Sequence, residues 1–350
     1  MTFEAFLRHM LFCLGLACVS ALVVRAAIDA RVMDRPNARS AHTRPTPKGG
    51  GIGIVTAFML GIAMLYGFAE FSRIAEPYFR GVILSALVIA VVSFLDDLRD
   101  WPFSVKLAAQ VGAALAAIAS GLYVQDVRLP FWGVVQLGWV GAVATLVWIV
   151  FVTNAMNFID GLNGLAAGVT LVSCLFLAVI GQSQGDSFVY FASLVLAAGL
   201  VGFLPFNFPR ARIFMGDVGS QFCGFMLAML GVAAARFGRM DMSLLLVPML
   251  LNGVLFDVSF TLVRRFIAGE RITQAHRGHL YQVAHRAGVD ARVVTLVQCG
   301  FAALGGLVSM LFVASPAVLK PALPLLLLLP QMLWLGFVVL RARTAEIGRW

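Results

Sequence analysis

The stretch VVSFLDDLRDWPF, from Val91 to Phe103, closes a membrane-length apolar run with two adjacent aspartates, Asp96 and Asp97. Such a run predicts a helix. A helix C-terminus carries partial negative charge, so it is an unfavourable place for two carboxylates. We therefore expect positively charged groups to meet this pair in the folded protein.

The composition indicates an integral membrane protein. Of the 350 residues, 61% are hydrophobic and only 12% are charged, and the mean hydropathy is +0.92. Soluble domains usually carry about 25% charged residues. Apolar runs near the roughly 20 residues that cross a bilayer recur along the chain. We predict one all-α, polytopic domain over residues 1–350, with about eleven spans, at 7–27, 52–69, 81–96, 104–123, 138–157, 163–181, 188–205, 219–235, 243–263, 294–314 and 322–340.

The distribution of basic residues predicts the orientation of these spans. The loops 28–51, 97–103, 158–162, 206–218 and 264–293 and the tail 341–350, with their flanks, hold about 19 of the 26 Lys and Arg residues. The positive-inside rule makes that side cytoplasmic. It also explains the net charge of +9 without nucleic acid as a partner. The N-terminus is then expected outside and the C-terminus inside. An outer loop, 124–137, could hold a short hairpin.

Two further motifs place polar residues at span ends on the inner side. In NAMNFIDGLNGLAAG (154–168), Asn154, Asn157 and Asp160 lie on one side of a helix that glycines then interrupt. In NFPRARIFMGDVGSQFCG (207–224), Asp217 precedes a new span. Ionisable residues near the membrane are functional candidates. A polar helix-end turn remains an alternative for the first motif, and simple helix capping for the second.

Two inner loops are basic. RRFIAGERITQAHRGHLYQVAHRAG (264–288) contains His276 and His279, but zinc needs three or four converging ligands and the cationic surroundings disfavour it. The arginines of this loop favour a clamp for phosphate or lipid headgroups, with solvated topology charge as the alternative; they are Arg265, Arg271, Arg277 and Arg286. DRPNARSAHTRPTPKGGGIG (34–53) lacks the spacing of a nucleotide-binding glycine loop.

In order along the chain, these motifs resemble the polyprenyl-phosphate N-acetylhexosamine-1-phosphate transferase family, also called glycosyltransferase family 4. The resemblance runs from about Arg35 to Gln282 and depends on RPTPKGGG, FLDDLRD, NAMNFIDGLNGLAAG, FNFPRARIFMGDVGS and AHRGHLYQ. It implies a multi-pass protein of the bacterial inner membrane, with its N-terminus in the periplasm and its active site facing the cytoplasm. A homodimer would be compatible with it.

The resemblance also implies a reaction. Sugar 1-phosphate passes from a UDP-N-acetylhexosamine to undecaprenyl phosphate, with release of UMP and with Mg²⁺, or Mn²⁺ in its place, as cofactor. Two anionic substrates must meet, so metal and cationic side chains must screen their repulsion. By matched position, Asp217 would bind the metal, and Asp96 or Asp97 would orient or deprotonate the lipid phosphate. The substrate-binding residues would be Asn157 and Asp160 in the nucleotide site, Phe214 stacking on uracil, and Lys48, His276, Arg277 and His279 at the phosphates.

The chain departs from the family pattern at two places. Asn163 stands where many members have a second aspartate, and HLYQ (279–282) replaces a histidine-rich sequence. The second variant resembles the subgroup that initiates O-antigen or related surface glycans, often on 6-deoxy sugars. A transporter or lipid flippase is the main alternative, but transporters place ionisable residues near the bilayer midplane and often contain inverted repeats. A catalytically inactive scaffold is a further alternative, which the intact set of acids disfavours.

Overall fold

The fold is a bundle of α-helices. The structure, a computed structural model, describes residues 2–30, 33–34, 45–68, 77–237, 243–271, 276–348 and 350. Its helices are α1 (Phe3–Ala30), α2 (Gly51–Phe68), α3 (Pro77–Arg99), α4 (Phe103–Ala119), α5 (Trp139–Ile159), α6 (Leu165–Gln184), α7 (Ser187–Asn207), α8 (Gly216–Phe237), α9 (Leu246–Leu250), α10 (Asn252–Ile267), α11 (Leu280–Arg286), α12 (Ala291–Ala314) and α13 (Leu328–Thr344).

The helices confirm an all-α polytopic membrane protein. In the described parts of the chain, 8 helices are long and apolar enough to cross a membrane, or 9 if the bent pair α9–α10 forms one span. The apolar helices α2 and α4 are shorter. Each of the eleven segments expected to span overlaps a helix or the bent pair. The number of spans and the orientation of the termini remain predictions.

One expected span is not a straight helix. Residues 243–263 form a 3₁₀ turn, α9 and α10, and the axis bends by 79° at Leu251. Asn252 occupies the break: its side-chain amide donates to the carbonyl oxygens of Met249 at 2.8 Å and Phe301 at 2.7 Å. A broken helix within a membrane is tolerated where protein groups satisfy the freed backbone.

Short strands occur in two loops. β3 (Asp126–Leu129) and β4 (Gly133–Gln136) pair antiparallel, which confirms the hairpin expected in 124–137. β1 (Met33–Asp34) pairs with β2 (Thr46–Pro47) in the loop 28–51. Most of the remainder of that loop, including its basic residues 35, 39 and 44, lies outside the described residues.

Helix α8 is the centre of the bundle. All residues from Val218 to Ala234 are buried, and α2, α3, α5, α6 and α7 pack against it. The C-terminal ends of α3 and α5 and the N-terminal ends of α2 and α4 lie beside its N-terminus, as the contacts below show. This arrangement brings together motifs that are up to about 120 residues apart in sequence.

Candidate functional site

The glycine-rich segment before α2 and the segment before α8 pair through their backbones. Phe214 donates its N–H to the carbonyl of Pro47 at 2.8 Å, and Gly50 donates to the carbonyl of Phe214 at 2.9 Å. The helices then cross so closely that a Cβ on Gly51 would lie 2.3 Å from the Cα of Gly219. Two of the sequence motifs therefore form one rigid support for the start of α8.

Asp97 caps the N-terminus of α8 from a different helix. Its two carboxylate oxygens accept the backbone N–H groups of Asp217 at 3.2 Å and Val218 at 3.1 Å. The ammonium group of Lys48 lies 3.8 Å from the same carboxylate. Gly216 has a φ of +74°, and a Cβ there would lie 2.6 Å from Asp97 Oδ2, so glycine is required. The positive end of the α8 dipole thus meets the negative end of α3.

A lysine joins the remaining two aspartates. Lys106 Nζ lies 2.8 Å from Asp96 Oδ2 and 2.9 Å from Asp217 Oδ2. The other oxygen of Asp96 accepts the N–H of Trp101 at 2.8 Å. The positive groups expected beside the aspartate pair are therefore Lys48, Lys106 and helix amides. We call Asp96, Asp97, Asp217, Lys48 and Lys106 the acidic centre.

Amide side chains fix the carboxylate of Asp217. Asn157 Nδ2 donates to Asp217 Oδ1 and to the hydroxyl oxygen of Ser220, both at 3.0 Å. Gln221 Nε2 donates to Asp217 Oδ2 at 3.3 Å and is held in turn by Gln110. The site therefore presents Asp217 in one defined orientation, with the amide nitrogen of Asn157 turned towards it.

Asp160 is the acid with the fewest constraints. It follows α5 directly and is half-buried, and no hydrogen bond or ion pair holds its carboxylate within the part of the chain that the structure describes. Its removal from water, followed by the negative charges of Asp217 and Asp97, raises its pKa well above the usual value. A cation bound at the acidic centre would stabilise the ionised form of Asp160 and so offset the free-energy cost of its ionisation.

The residues present fit a divalent cation held partly by substrate. No three His, Cys, Asp or Glu residues in the described ranges converge as a complete metal cage. Mg²⁺ commonly binds through one or two carboxylates, with water and substrate phosphates as its other ligands. The carboxylates of Asp217 and Asp96, which meet at Lys106, supply such a partial set. The Lys106 ammonium between two carboxylates shows that positive charge is stabilised at this position.

A second buried aspartate organises the loop that carries the histidines. Asp257 of α10 accepts the N–H groups of Leu280 at 2.9 Å and Tyr281 at 3.0 Å. It also lies 3.1 Å from His279 Nδ1 and 3.3 Å from the hydroxyl of Thr261. Asp257 therefore fixes the start of α11 much as Asp97 fixes α8.

These contacts define how the two histidine rings are presented. His279 Nδ1 faces a carboxylate, so this nitrogen carries the proton and Nε2 is left for other partners. His276 Nδ1 accepts the N–H of Gly278 at 3.2 Å, so its proton lies on Nε2. Burial, then the charges of His279, Arg265 and Arg264, lower the pKa of His276 to about 4. At neutral pH, His276 thus offers a neutral N–H donor.

The histidine loop packs directly on the end of α5. The Tyr281 hydroxyl donates to the carbonyl of Phe158 at 2.8 Å, and the rings of Phe158 and His279 lie 5.9 Å apart. A Cβ on Gly161 would lie 2.2 Å from the Tyr281 hydroxyl oxygen. Since Asn157 precedes Phe158, the histidine loop and the acidic centre are anchored to the same helix end.

The structure places the expected residues unequally. Five join around Asp217 through direct contacts: Asp96, Asp97, Asp217, Lys48 and Asn157. Phe214 is half-buried beside the segment of Lys48, and Asp160 lies within electrostatic range of Asp217. The rings of His276 and His279 lie side by side, tilted by 31°, with their centres 4.9 Å apart. Arg277 is half-buried, and its carbonyl accepts a hydrogen bond from Arg286.

The expected arginine clamp has structural partners. Arg265 is buried, pairs with Glu270 at 2.6 Å and donates to the carbonyl of Arg271 at 2.7 Å. Arg286 donates to the carbonyl of Arg277 at 3.1 Å. These contacts shape the loop, and they give Arg265 and Arg286 a role in the fold that the sequence interpretation had not included.

Sequence reasoning missed Lys106 and Asp257. Each is an isolated charged residue within or at the end of a segment expected to span the membrane. That isolation was an available signal, because ionisable residues within spans mark functional or paired positions. Their partners could not be read from the sequence, because Lys106 meets Asp217 across 111 positions.

Comparison with known proteins agrees with this geometry. Residues 79–235 match the model of the family described as glycosyl transferase family 4. A probable undecaprenyl-phosphate N-acetylglucosaminyl 1-phosphate transferase of Bacillus subtilis is 31% identical, over 87% of this chain and 82% of its own length. A decaprenyl-phosphate N-acetylglucosaminephosphotransferase of Mycobacterium tuberculosis is 33% identical, over 79% and 75%. An undecaprenyl-phosphate alpha-N-acetylglucosaminyl 1-phosphate transferase of Thermotoga maritima is 28% identical, over 73% of each chain.

Proposed function

The chain belongs to glycosyl transferase family 4, and from this membership and the acidic centre we propose that it transfers N-acetylhexosamine 1-phosphate from a UDP-sugar to undecaprenyl phosphate, releasing UMP. The proposed donor is UDP-GlcNAc or a 6-deoxy relative such as UDP-FucNAc or UDP-QuiNAc. The product would begin an O-antigen or another surface polysaccharide. The observation that carries the proposal is the convergence of Asp96 and Asp217 on Lys106, with Asp97 bonded to the backbone N–H of Asp217.

The acidic centre is proposed to face the cytoplasm in the bacterial inner membrane. Each of its acids lies at a helix end, and the basic loops expected inside flank the same helix ends. A transporter or flippase would more commonly place such residues near the middle of the spans. A UDP-sugar from the cytoplasm and a lipid phosphate in the inner leaflet could both reach this position.

Asp217 is proposed to hold Mg²⁺, or Mn²⁺ in its place, and Asn157 to line the nucleotide site beside it. The bound ion would neutralise the phosphates and polarise the bond that breaks. Lys106 and Lys48 lie within 4 Å of the carboxylates, so either ammonium group can turn to a phosphate oxygen as substrate arrives. His276 would add a neutral N–H donor beside His279, while Arg277 would contact phosphate and Phe214 the uracil ring.

The contacts of the aspartate pair favour positioning over proton removal. A phosphate monoester has its second pKa near 6, so the acceptor is already largely ionised at neutral pH. Both oxygens of Asp97 are engaged by α8 amides, and Asp96 holds Lys106. We propose that Asp97 fixes Asp217 and that Asp96 orients Lys106 and the acceptor. Asp96 is then the better placed of the two to accept a proton.

The proposal is tested by the exchange of Asp217 for asparagine. Asp217→Asn keeps the size of the side chain and one acceptor oxygen, but it removes the metal-binding charge and replaces the other oxygen with an NH₂ group. Membranes with the variant should lose transfer of label from a panel of radiolabelled UDP-sugars to undecaprenyl phosphate with Mg²⁺. Asp290→Asn, at an exposed acid paired with Arg292, is the control and should stay active. Label that returns to UDP-sugar on adding UMP would identify the donor, and normal transfer by Asp217→Asn would refute the assignment.

A further inference from the structure

A groove between α12 and α13 lies apart from the acidic centre. It encloses about 380 Å³ and is lined by apolar side chains, among them Val293, Val297, Phe301, Leu333, Trp334 and Phe337. The two helices have different main supports, because α12 packs on α6 and α9 whereas α13 packs on α11. In a bilayer, a hydrocarbon chain fills an apolar gap of this kind, because the membrane core contains no water.

One polar group in the wall of the groove has no protein partner. The indole N–H of Trp334 is buried and makes no hydrogen bond to any part of the chain that the structure describes. The ring itself is fixed, because it stacks on Phe337 at 5.6 Å and meets the edge of Phe301 at 6.2 Å. A buried donor without an acceptor is costly. A molecule that fits this groove would therefore have both an apolar chain and a hydrogen-bond acceptor for the indole N–H.

The end of the groove nearest α11 is basic. Arg341 places its guanidinium 6.0 Å from the ring centre of Phe337, which lines the groove. Val289, at the same end, joins the groove to α11 through its carbonyl, which is 3.1 Å from His285 Nδ1. Arg341 lies seven residues beyond Trp334 on α13, or about 10 Å at the helical rise. An anionic group at Arg341 would thus stand about two helical turns from the indole N–H.

We propose that this groove binds one anionic glycerophospholipid of the inner leaflet. An acyl chain would fill the apolar gap, an ester carbonyl would accept the Trp334 N–H, and the phosphate would meet Arg341. The ester carbonyls of a glycerophospholipid lie just below its phosphate, towards the hydrocarbon. A polyprenyl phosphate has no such carbonyl and would leave the indole unpaired, so the groove is distinct from an acceptor site. The inference does not depend on the proposed reaction.

Native mass spectrometry of the purified full-length chain with added lipids tests this assignment. The probes are phosphatidylglycerol, its diether analogue without ester carbonyls, phosphatidylcholine and undecaprenyl phosphate. Wild type should bind phosphatidylglycerol about fivefold more tightly than phosphatidylcholine, the ratio expected for one arginine at an anionic headgroup. Arg341→Gln should remove that preference. Arg343→Gln, at an exposed arginine on the same helix end, is the matched control and should keep it.

The indole is tested by a variant in two lipids. Trp334→Phe keeps a ring but removes the donor, so it should weaken binding of diacyl phosphatidylglycerol about three- to tenfold. It should leave binding of the diether analogue unchanged, which controls for damage to the fold. Val293→Trp should fill the groove and abolish binding of both lipids.

Three results would overturn the proposal. Equal binding of phosphatidylglycerol and phosphatidylcholine would show that the groove does not recognise an anionic headgroup. Undecaprenyl phosphate that competes with phosphatidylglycerol and responds to Arg341→Gln would make the groove an acceptor site. Conversion of a dimer to a monomer by Val293→Trp, without a change in bound lipid, would make it an interface between copies of the chain.

Discussion

Exchange of Asp257 for asparagine should uncouple the histidine loop from the rest of the site. In the folded protein, one oxygen of Asp257 receives His279 Nδ1, the Leu280 amide and the Thr261 hydroxyl, and the other receives the Tyr281 amide. An asparagine retains one acceptor. Its NH₂ group must then face a donor, whichever way the amide is turned.

The expected cost follows from those contacts. One buried backbone N–H loses its acceptor, which costs about 1–3 kcal/mol, and the bonds that remain lose their charge assistance. If α11 stays in place in the variant, the free energy of unfolding should therefore fall by about 2–4 kcal/mol. Local detachment of α11 would make the fall smaller. A shift of about 1 Å in His279 is enough to lower turnover by about a hundredfold.

The assay measures thermal stability in detergent together with kcat and KM for the UDP-sugar. Asp257→Asn should lower kcat more than it raises KM, because His279 Nδ1 loses the carboxylate partner that holds the ring in place. Thr261→Val is the matched control, since it removes a weaker donor to the same oxygen at 3.3 Å without touching α11. Asp257→Asn with normal stability and normal kcat would refute this account of the loop.

Three further predictions concern the acidic centre. Asp96→Asn and Asp97→Asn should each lower kcat by at least about a hundredfold, the scale of a lost charge-stabilising group. Asp97→Asn should also destabilise the fold, because the Asp97 carboxylate caps α8. Wild-type rates in both variants would contradict this prediction. Lys106→Met should lower kcat/KM by about a hundredfold or more, the scale of a lost charge-stabilising group, and Lys106→Arg should restore part of the loss. Equal activity of both variants would show that the charge is not used. Asp160→Asn should raise Tm at pH 8, because the raised pKa of Asp160 in the folded state makes ionisation costly there, and the gain should disappear as the pH falls towards the ordinary carboxyl value. A gain independent of pH would exclude this cause.

The sequence predicted the site better than it predicted the partners that hold it. Span ends rich in acids and glycines were recognisable because ionisable residues are rare in membrane helices. Asp97 and Asp217 were expected to share one centre, and they do. That Asp97 would cap α8 could not be predicted, because the cap joins two helices whose crossing depends on Gly51 and Gly219.

The fold shows the same limit. Hydropathy located the helices, but the 79° bend at Leu251 was hidden, since it depends on Asn252 reaching the carbonyl of Phe301 in another helix. Periodicity likewise gave no sign of α11, which is only 7 residues long and lies in a polar loop. What could not be predicted is therefore set by contacts between distant segments.

The charges of the acidic centre explain why it is suited to a divalent ion. Four carboxylates lie there, those of Asp96, Asp97, Asp160 and Asp217, against two ammonium groups, Lys48 and Lys106. The two carboxylates without a compensating ammonium would leave a formal charge of −2 if all were ionised. The raised pKa of Asp160 reflects first its removal from water and then this excess of negative charge. The α8 amides stabilise Asp97 but do not neutralise it. A bound Mg²⁺ would balance this charge, which allows an anionic donor to approach; the dianionic acceptor would then need Lys48 and Lys106 to turn from carboxylate to phosphate.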